Sequence, residues 1–168
     1  MLSWIALSCL VGAVILLGML SAIDIKTRLL PNEMVAGFAT LGAVFHLTTL
    51  AQFVPIQDIL LGGAIGFLAL YLIRVAANRV YGQDALGLGD VKLIGAGGFW
   101  LGPDAIMLAM AAGAMAALLH GVGYALKEAK KTKKRPDFVN LKIPAGPGFA
   151  VGLIIGGIVK FWSFRVHM

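Results

Sequence analysis

The sequence predicts an all-α, polytopic membrane protein of about six transmembrane helices, the fourth short, forming a single integral-membrane domain over residues 1–168. Three observations carry this. Hydrophobic residues make up 60% of the chain and charged ones 13%, with a mean hydropathy of +0.91, far more apolar surface than a soluble domain of this length can bury. Apolar runs at 4–23, 34–54, 59–77, 105–126 and 145–164 each approach the roughly 20 residues that a helix needs to cross the hydrocarbon core. The basic residues also divide very unevenly between alternate connections.

The first run has no Lys or Arg before it, and its apolar stretch exceeds the core of a cleaved signal peptide, so it reads as a retained span. Cys9, the only cysteine, lies inside it; an intrachain disulfide and a CxxC zinc module are excluded, and packing is its expected role. Pro31 disfavours helix at Leu30, so this span should end near there with Asp24 in its last turns. Asp58 and Asp104 precede or open later runs and read as helix caps. A sixth run, 91–102, is short, interrupted by Gly95, Gly97 and Gly98 and closed by Pro103, which fits a short or re-entrant helix buried among the others. Gly62/Gly66, Gly98/Gly102 and Gly152/Gly156 have the GxxxG spacing that lets helix backbones approach.

If all six runs cross, one side receives Lys26, Arg28, Arg74, Arg79, Lys92, Lys127, Lys130, Lys131, Lys133, Lys134, Arg135 and Lys142, and the other only Lys160 and Arg165. Twelve against two makes the first side cytoplasmic, with both termini outside. Without the short run as a crossing, the basic loop 127–142 would fall on the face opposite Lys26 and Arg28. That loop could contact anionic lipid head groups or simply enforce topology. Nucleic-acid binding is not expected of it.

Asp24 and Asp90 then share the cytoplasmic boundary, although 66 positions (90 − 24) separate them. A buried carboxylate without a partner costs several kcal/mol or more, and two at one boundary suggest an acid/base pair. Each also has a simpler reading as a cap or as a partner for Lys26, Arg28 or Lys92. Asp24 falls at a helix C-terminus, where the dipole disfavours an anion, and Asp90 at a helix N-terminus, where it favours one. On that basis Asp90 would activate water and Asp24 would hold the shared proton. Gly87 and Gly89 beside Asp90 permit close backbone approach.

The segment Gly87-Leu88-Gly89-Asp90-Val91-Lys92-Leu93, continuing to Gly98 and Leu101-Gly102, resembles the GxGD signature of type IV prepilin peptidases, which are intramembrane aspartyl proteases. Asp24 followed by Pro31-Asn32 resembles their first acidic motif. Ile143-Pro144-Ala145-Gly146-Pro147-Gly148 is similar to the proline-glycine motif that opens their last span. The resemblance implies an aspartic endopeptidase of the bacterial inner membrane, cutting the leader peptide of pilin-like precursors on the cytoplasmic side. Asp24 and Asp90 would be the catalytic pair, with Gly87, Gly89, Lys92, Pro31, Asn32, Pro144, Gly146 and Pro147 supporting the site or the substrate, and no cofactor or metal. It also implies the short, peptidase-only branch that accompanies tight-adherence (Flp) pili, because larger members carry an additional cysteine-containing cytoplasmic segment.

Other chemistries find less support. His46, His120 and His167 stand in separate segments, with no HExxH. No nucleophile elbow or SxxK surrounds Ser3, Ser8, Ser21 or Ser163. Lys92 occupies the last position of what would otherwise be GxGxxG. The rival readings are a small proton- or ion-coupled transporter using the acidic pair and a non-catalytic subunit of an assembly machine.

Overall fold

A computed structural model of the chain describes residues 2–82, 84, 86–132 and 144–162. Most of the basic loop 127–142, with Ile143, Arg165 and His167, lies outside them. Among the described residues the regular elements are all helices: α1 (Leu2–Thr27), α2 (Asn32–Thr48), α3 (Ile56–Tyr81), α4 (Leu88–Thr132) and α5 (Gly146–Phe161). Segments within α1, α3 and α4 are long and apolar enough to cross a membrane, and α5 is a shorter apolar helix. Large apolar side chains such as Val11, Ile15, Leu68, Leu72, Met115 and Leu119 are exposed on the outside of the bundle. Such an apolar girdle is stable against lipid and not against water.

α4 is two helices. Gly102 has φ 76° and ψ 177°, outside the helical region, and divides it into arms 88–101 and 103–132. A Cβ on Gly66 would touch both the Ile94 carbonyl, at 2.7 Å, and Ile106 Cγ1, at 3.1 Å. Two residues twelve positions apart would be about 18 Å apart in a continuous helix, so the arms double back on one another at Gly102. The short run of the sequence is therefore a separate helix, closed where Gly102 and Pro103 predict. At 1.5 Å per residue its arm is about 21 Å long.

The small-residue pairs sit at the contacts. Gly62 and Gly98 face each other so closely that a Cβ on either would overlap the other's carbonyl, and a Cβ on Gly62 would lie 2.6 Å from Gly102 Cα. Gly152 packs on Ala109 and Gly113, and Gly156 on Ala109 and Leu101. These positions give the order of neighbours: α3 runs antiparallel to the first arm of α4, and α5 antiparallel to the second. Gly12 meets Leu41 and Gly37 meets Leu16, so α1 and α2 form a hairpin. Trp100 joins the halves: its Nε1–H donates to the Phe38 carbonyl at 2.8 Å while its indole lies over Gly42.

α2 stops earlier than the apolar run 34–54 predicts. Thr48 and Thr49 turn their hydroxyls back to the Phe45 carbonyl, and Leu50 and Ala51 adopt positive φ, closing a turn before α3. Asp58 is not the N-cap of α3, which begins after Pro55 without a side-chain cap; Asp58 lies in its first turn. Asp104 follows the break in α4. His46 is buried, with Nε2 3.1 Å from the Phe99 carbonyl, among Phe45, Phe99 and Trp100.

Candidate active site

α1 ends just after Asp24. Arg28 takes a left-handed conformation, φ 56°, and its N–H donates to the Asp24 carbonyl at 2.8 Å, a helix-terminating arrangement that satisfies a free carbonyl. Pro31, with φ −60° and ψ 130°, then carries the chain as extended backbone into α2. Asp24 thus keeps helical backbone in the last turn, as Pro31 predicts, while its side chain turns into the bundle.

Both acids are buried: Asp24 is 5% exposed and Asp90 7%. The Asp24 side chain reaches across to the start of α5, where Oδ2 accepts the Gly146 N–H at 2.9 Å. Asp90 sits in the first turn of α4 with its carboxylate against Gly87, where a Cβ would lie 3.0 Å from Oδ2. Its Oδ1 has no hydrogen-bond partner. The charge of Asp24 is close enough to act on Asp90, so the two carboxyls, 66 positions apart in sequence, are brought within electrostatic reach of each other at the helix ends. A buried, partly unsatisfied carboxyl beside a second one is a costly arrangement, and such arrangements concentrate at functional sites.

The sequence-based division of roles treated each acid with its own helix alone. In the folded chain Asp24, although at the C-terminal end of α1, receives a donor from the N-terminus of α5, where free N–H groups favour an anion. Helix position alone therefore does not separate the two acids, and proton occupancy belongs to the pair.

The glycines fit this geometry. A Cβ on Gly146 would lie 2.7 Å from Asp24 Oδ2, and one on Gly87 3.0 Å from Asp90 Oδ2. On Gly89 it would lie 2.8 Å from Leu30 Cβ, so Gly89 lets the α1–α2 turn close over the start of α4. Lys92 donates from Nζ to Asn32 Oδ1 at 2.9 Å. That bond ties the start of α2 to the start of α4. Pro144 and Pro147 flank Gly146 at the opening of α5, both half-buried.

Sequence reasoning missed Arg74. Its Nε donates to the Leu86 carbonyl at 2.8 Å and its Nη2 to Asp84 Oδ1 at 2.8 Å, with Asn78 Nδ2 on the same oxygen at 2.9 Å. Asp84 is occupied in this clamp. An apolar cavity of about 470 Å³ between α1 and α5, lined by Leu10, Leu17, Trp100, Leu153 and Phe161 among others, contains no ionisable side chain. Among the described residues no three His, Cys, Asp or Glu side chains gather in one place.

Fold and site together define an integral membrane protein whose helix ends converge on a buried pair of carboxyls. The chain belongs to the type IV leader peptidase family, whose model matches residues 4–122. It is 34% identical over 162 residues to a prepilin leader peptidase/N-methyltransferase of Pectobacterium carotovorum subsp. carotovorum, covering 95% of this chain and 55% of that protein. Proteins of the same name from Dickeya chrysanthemi and Klebsiella pneumoniae are 38% identical over 117 residues (66% of this chain, 41% of that protein) and 36% over 107 residues (60% and 46%). The chain spans about half the length of the curated relatives it matches. No solved structure matches it.

Proposed function

We propose that the chain is an intramembrane aspartyl endopeptidase that removes the leader peptide of type IV pilin-like precursors, of the Flp type, at the cytoplasmic face of the bacterial inner membrane. The observation that carries this reading is the convergence of Asp24 and Asp90 in one buried pocket at the helix ends. Family membership and the relatives' shared name support the reaction class and the substrate class.

In this reading the chain crosses the membrane six times, the two arms of α4 counting separately, with the basic connections and the acidic pair inside and both termini outside. A precursor whose basic leader stays in the cytoplasm while its apolar segment enters the bilayer presents its cleavable bond at that depth. The pair holds one proton. The ionised carboxyl takes a proton from water as its oxygen attacks the scissile carbonyl carbon, and the protonated partner gives its proton to the carbonyl oxygen. Collapse of the tetrahedral intermediate breaks the C–N bond; the proton taken from water passes to the leaving amine, and the other carboxyl recovers its proton from a hydroxyl of the intermediate as the new carboxyl group forms. Asp90 Oδ1, free of protein partners, is positioned to hold the attacking water. The Gly146 N–H holds Asp24, and Lys92 with Asn32 holds the two sides of the pocket together.

Co-expression with a pilin-like precursor tests the proposal: a shortened product whose new N-terminus lies at the start of the apolar segment supports it, and precursor that stays intact beside a well-expressed chain contradicts it. The Gly146→Ala variant gives a finer test. Its new methyl must push the Asp24 carboxyl off its donor, so the turnover rate should fall by roughly 10- to 100-fold, the scale on which small misplacements of reacting groups act. A variant that cleaves at the normal rate would remove Gly146 from the site.

A further inference from the structure

Leu86 and Gly87 share one peptide unit. Its C=O accepts from Arg74 Nε at 2.8 Å, and its glycine packs against the Asp90 carboxylate, where a Cβ would lie 3.0 Å from Oδ2. The peptide therefore connects the guanidinium to the carboxylate. We infer that Arg74 is the positioning residue for Asp90, acting through the Leu86–Gly87 peptide; this rests on the peptidase reading above.

Geometry supports more than a surface ion pair. Arg74 approaches two different acceptors at once, Nε on the Leu86 carbonyl and Nη2 on Asp84 Oδ1, which a planar fork can do and a lysine ammonium on its flexible stem cannot do with the same fixed geometry. Asp84 is largely exposed, at 78%, so its bond to Arg74 adds little stability by itself. Its effect is to stop the guanidinium rotating, with Asn78 holding the same Asp84 oxygen. The segment so fixed leads directly into the start of α4, and Gly87 must keep its backbone close to Asp90, because a Cβ there would lie 3.0 Å from Oδ2.

The test measures kcat and KM for cleavage of a purified precursor by the full chain in detergent or proteoliposomes, together with the thermal midpoint. Arg74→Gln should lower kcat roughly tenfold and leave KM within about twofold, as expected for a reacting group that is present but less well placed. Arg74→Lys should fall between the two. Arg79→Gln removes the same charge from the same end of α3 and should cleave at the normal rate. Asp84→Asn, which keeps an oxygen acceptor, should lose less than Arg74→Gln.

Arg74→Gln at the normal rate overturns the inference, as does a loss equalled in Arg79→Gln or one matched by a rise in KM and a fall in thermal midpoint. If Arg74→Gln does not accumulate, Arg74→Lys decides: a selective kcat loss supports the inference and an unchanged kcat overturns it. Cleavage that survives Asp90→Asn, or none by the unaltered chain, overturns the peptidase reading and this inference with it. Normal cleavage that depends on Asp90 but not on Arg74 overturns this inference alone.

Discussion

Replacing either Asp24 or Asp90 by Asn should abolish precursor cleavage, lowering the rate by roughly a hundred- to ten-thousand-fold, the contribution typical of a positioned general acid or base. The double variant should be little worse than either single one, because two groups that share one proton act as a unit. Asn is the informative substitution. It keeps an oxygen to accept the Gly146 N–H at position 24, keeps the size of the side chain at position 90, and removes charge from a buried site where charge is costly. Both variants should therefore accumulate and unfold much like the unaltered chain, so that a lost product reports chemistry and not collapse. Full cleavage by either variant would take that carboxyl out of the mechanism.

The second large effect concerns packing. Gly98→Ala should destabilise the bundle by roughly 1–3 kcal/mol, and Gly98→Leu by more, as overpacked cores do. The added methyl has no flexible side chain to displace; it meets the backbone of Gly62, so α3 and the first arm of α4 must separate. Gly62→Ala should cost a similar amount. The two together should cost less than the sum, since one separation accommodates both. Gly18, Gly123 and Gly157 serve as controls: nothing lies within 4 Å of a Cβ at these positions, and alanine there should be neutral or slightly stabilising through helix propensity. Unfolding in detergent, followed by limited proteolysis or circular dichroism, separates the two groups. Because the first arm of α4 carries Asp90, the packing variants should also lose cleavage, but in parallel with stability, unlike the Asn variants.

What could be read from the chain, and what could not, follows from the kind of interaction involved. Asp24 and Asp90 were legible because a carboxylate is conspicuous at the edge of an apolar run, and their common face followed from counting charges. The close helix contacts were legible because small residues four apart mark a surface with nothing on it. Gly102 and Pro103 announced the break in α4. The Gly146 N–H on Asp24 was not legible as such: any residue but proline supplies a backbone donor, and only the fold brings α5 beside α1. Arg74 read as one basic residue among twelve, since its main acceptor is a carbonyl that leaves no trace in the sequence. The early end of α2 was equally hidden, because Leu50 and Ala51 carry the positive φ values of the turn without the glycines that would have signalled it.

The central claim is that two acids remote in sequence meet in one pocket, and cysteine cross-linking addresses it without relying on activity. In a Cys9→Ala background, Asp24→Cys and Asp90→Cys should be joined by a short bifunctional thiol reagent in intact membranes, giving an intrachain product absent from either single cysteine variant. Two cysteines that each react with a monofunctional reagent, yet never link to one another, would contradict the account.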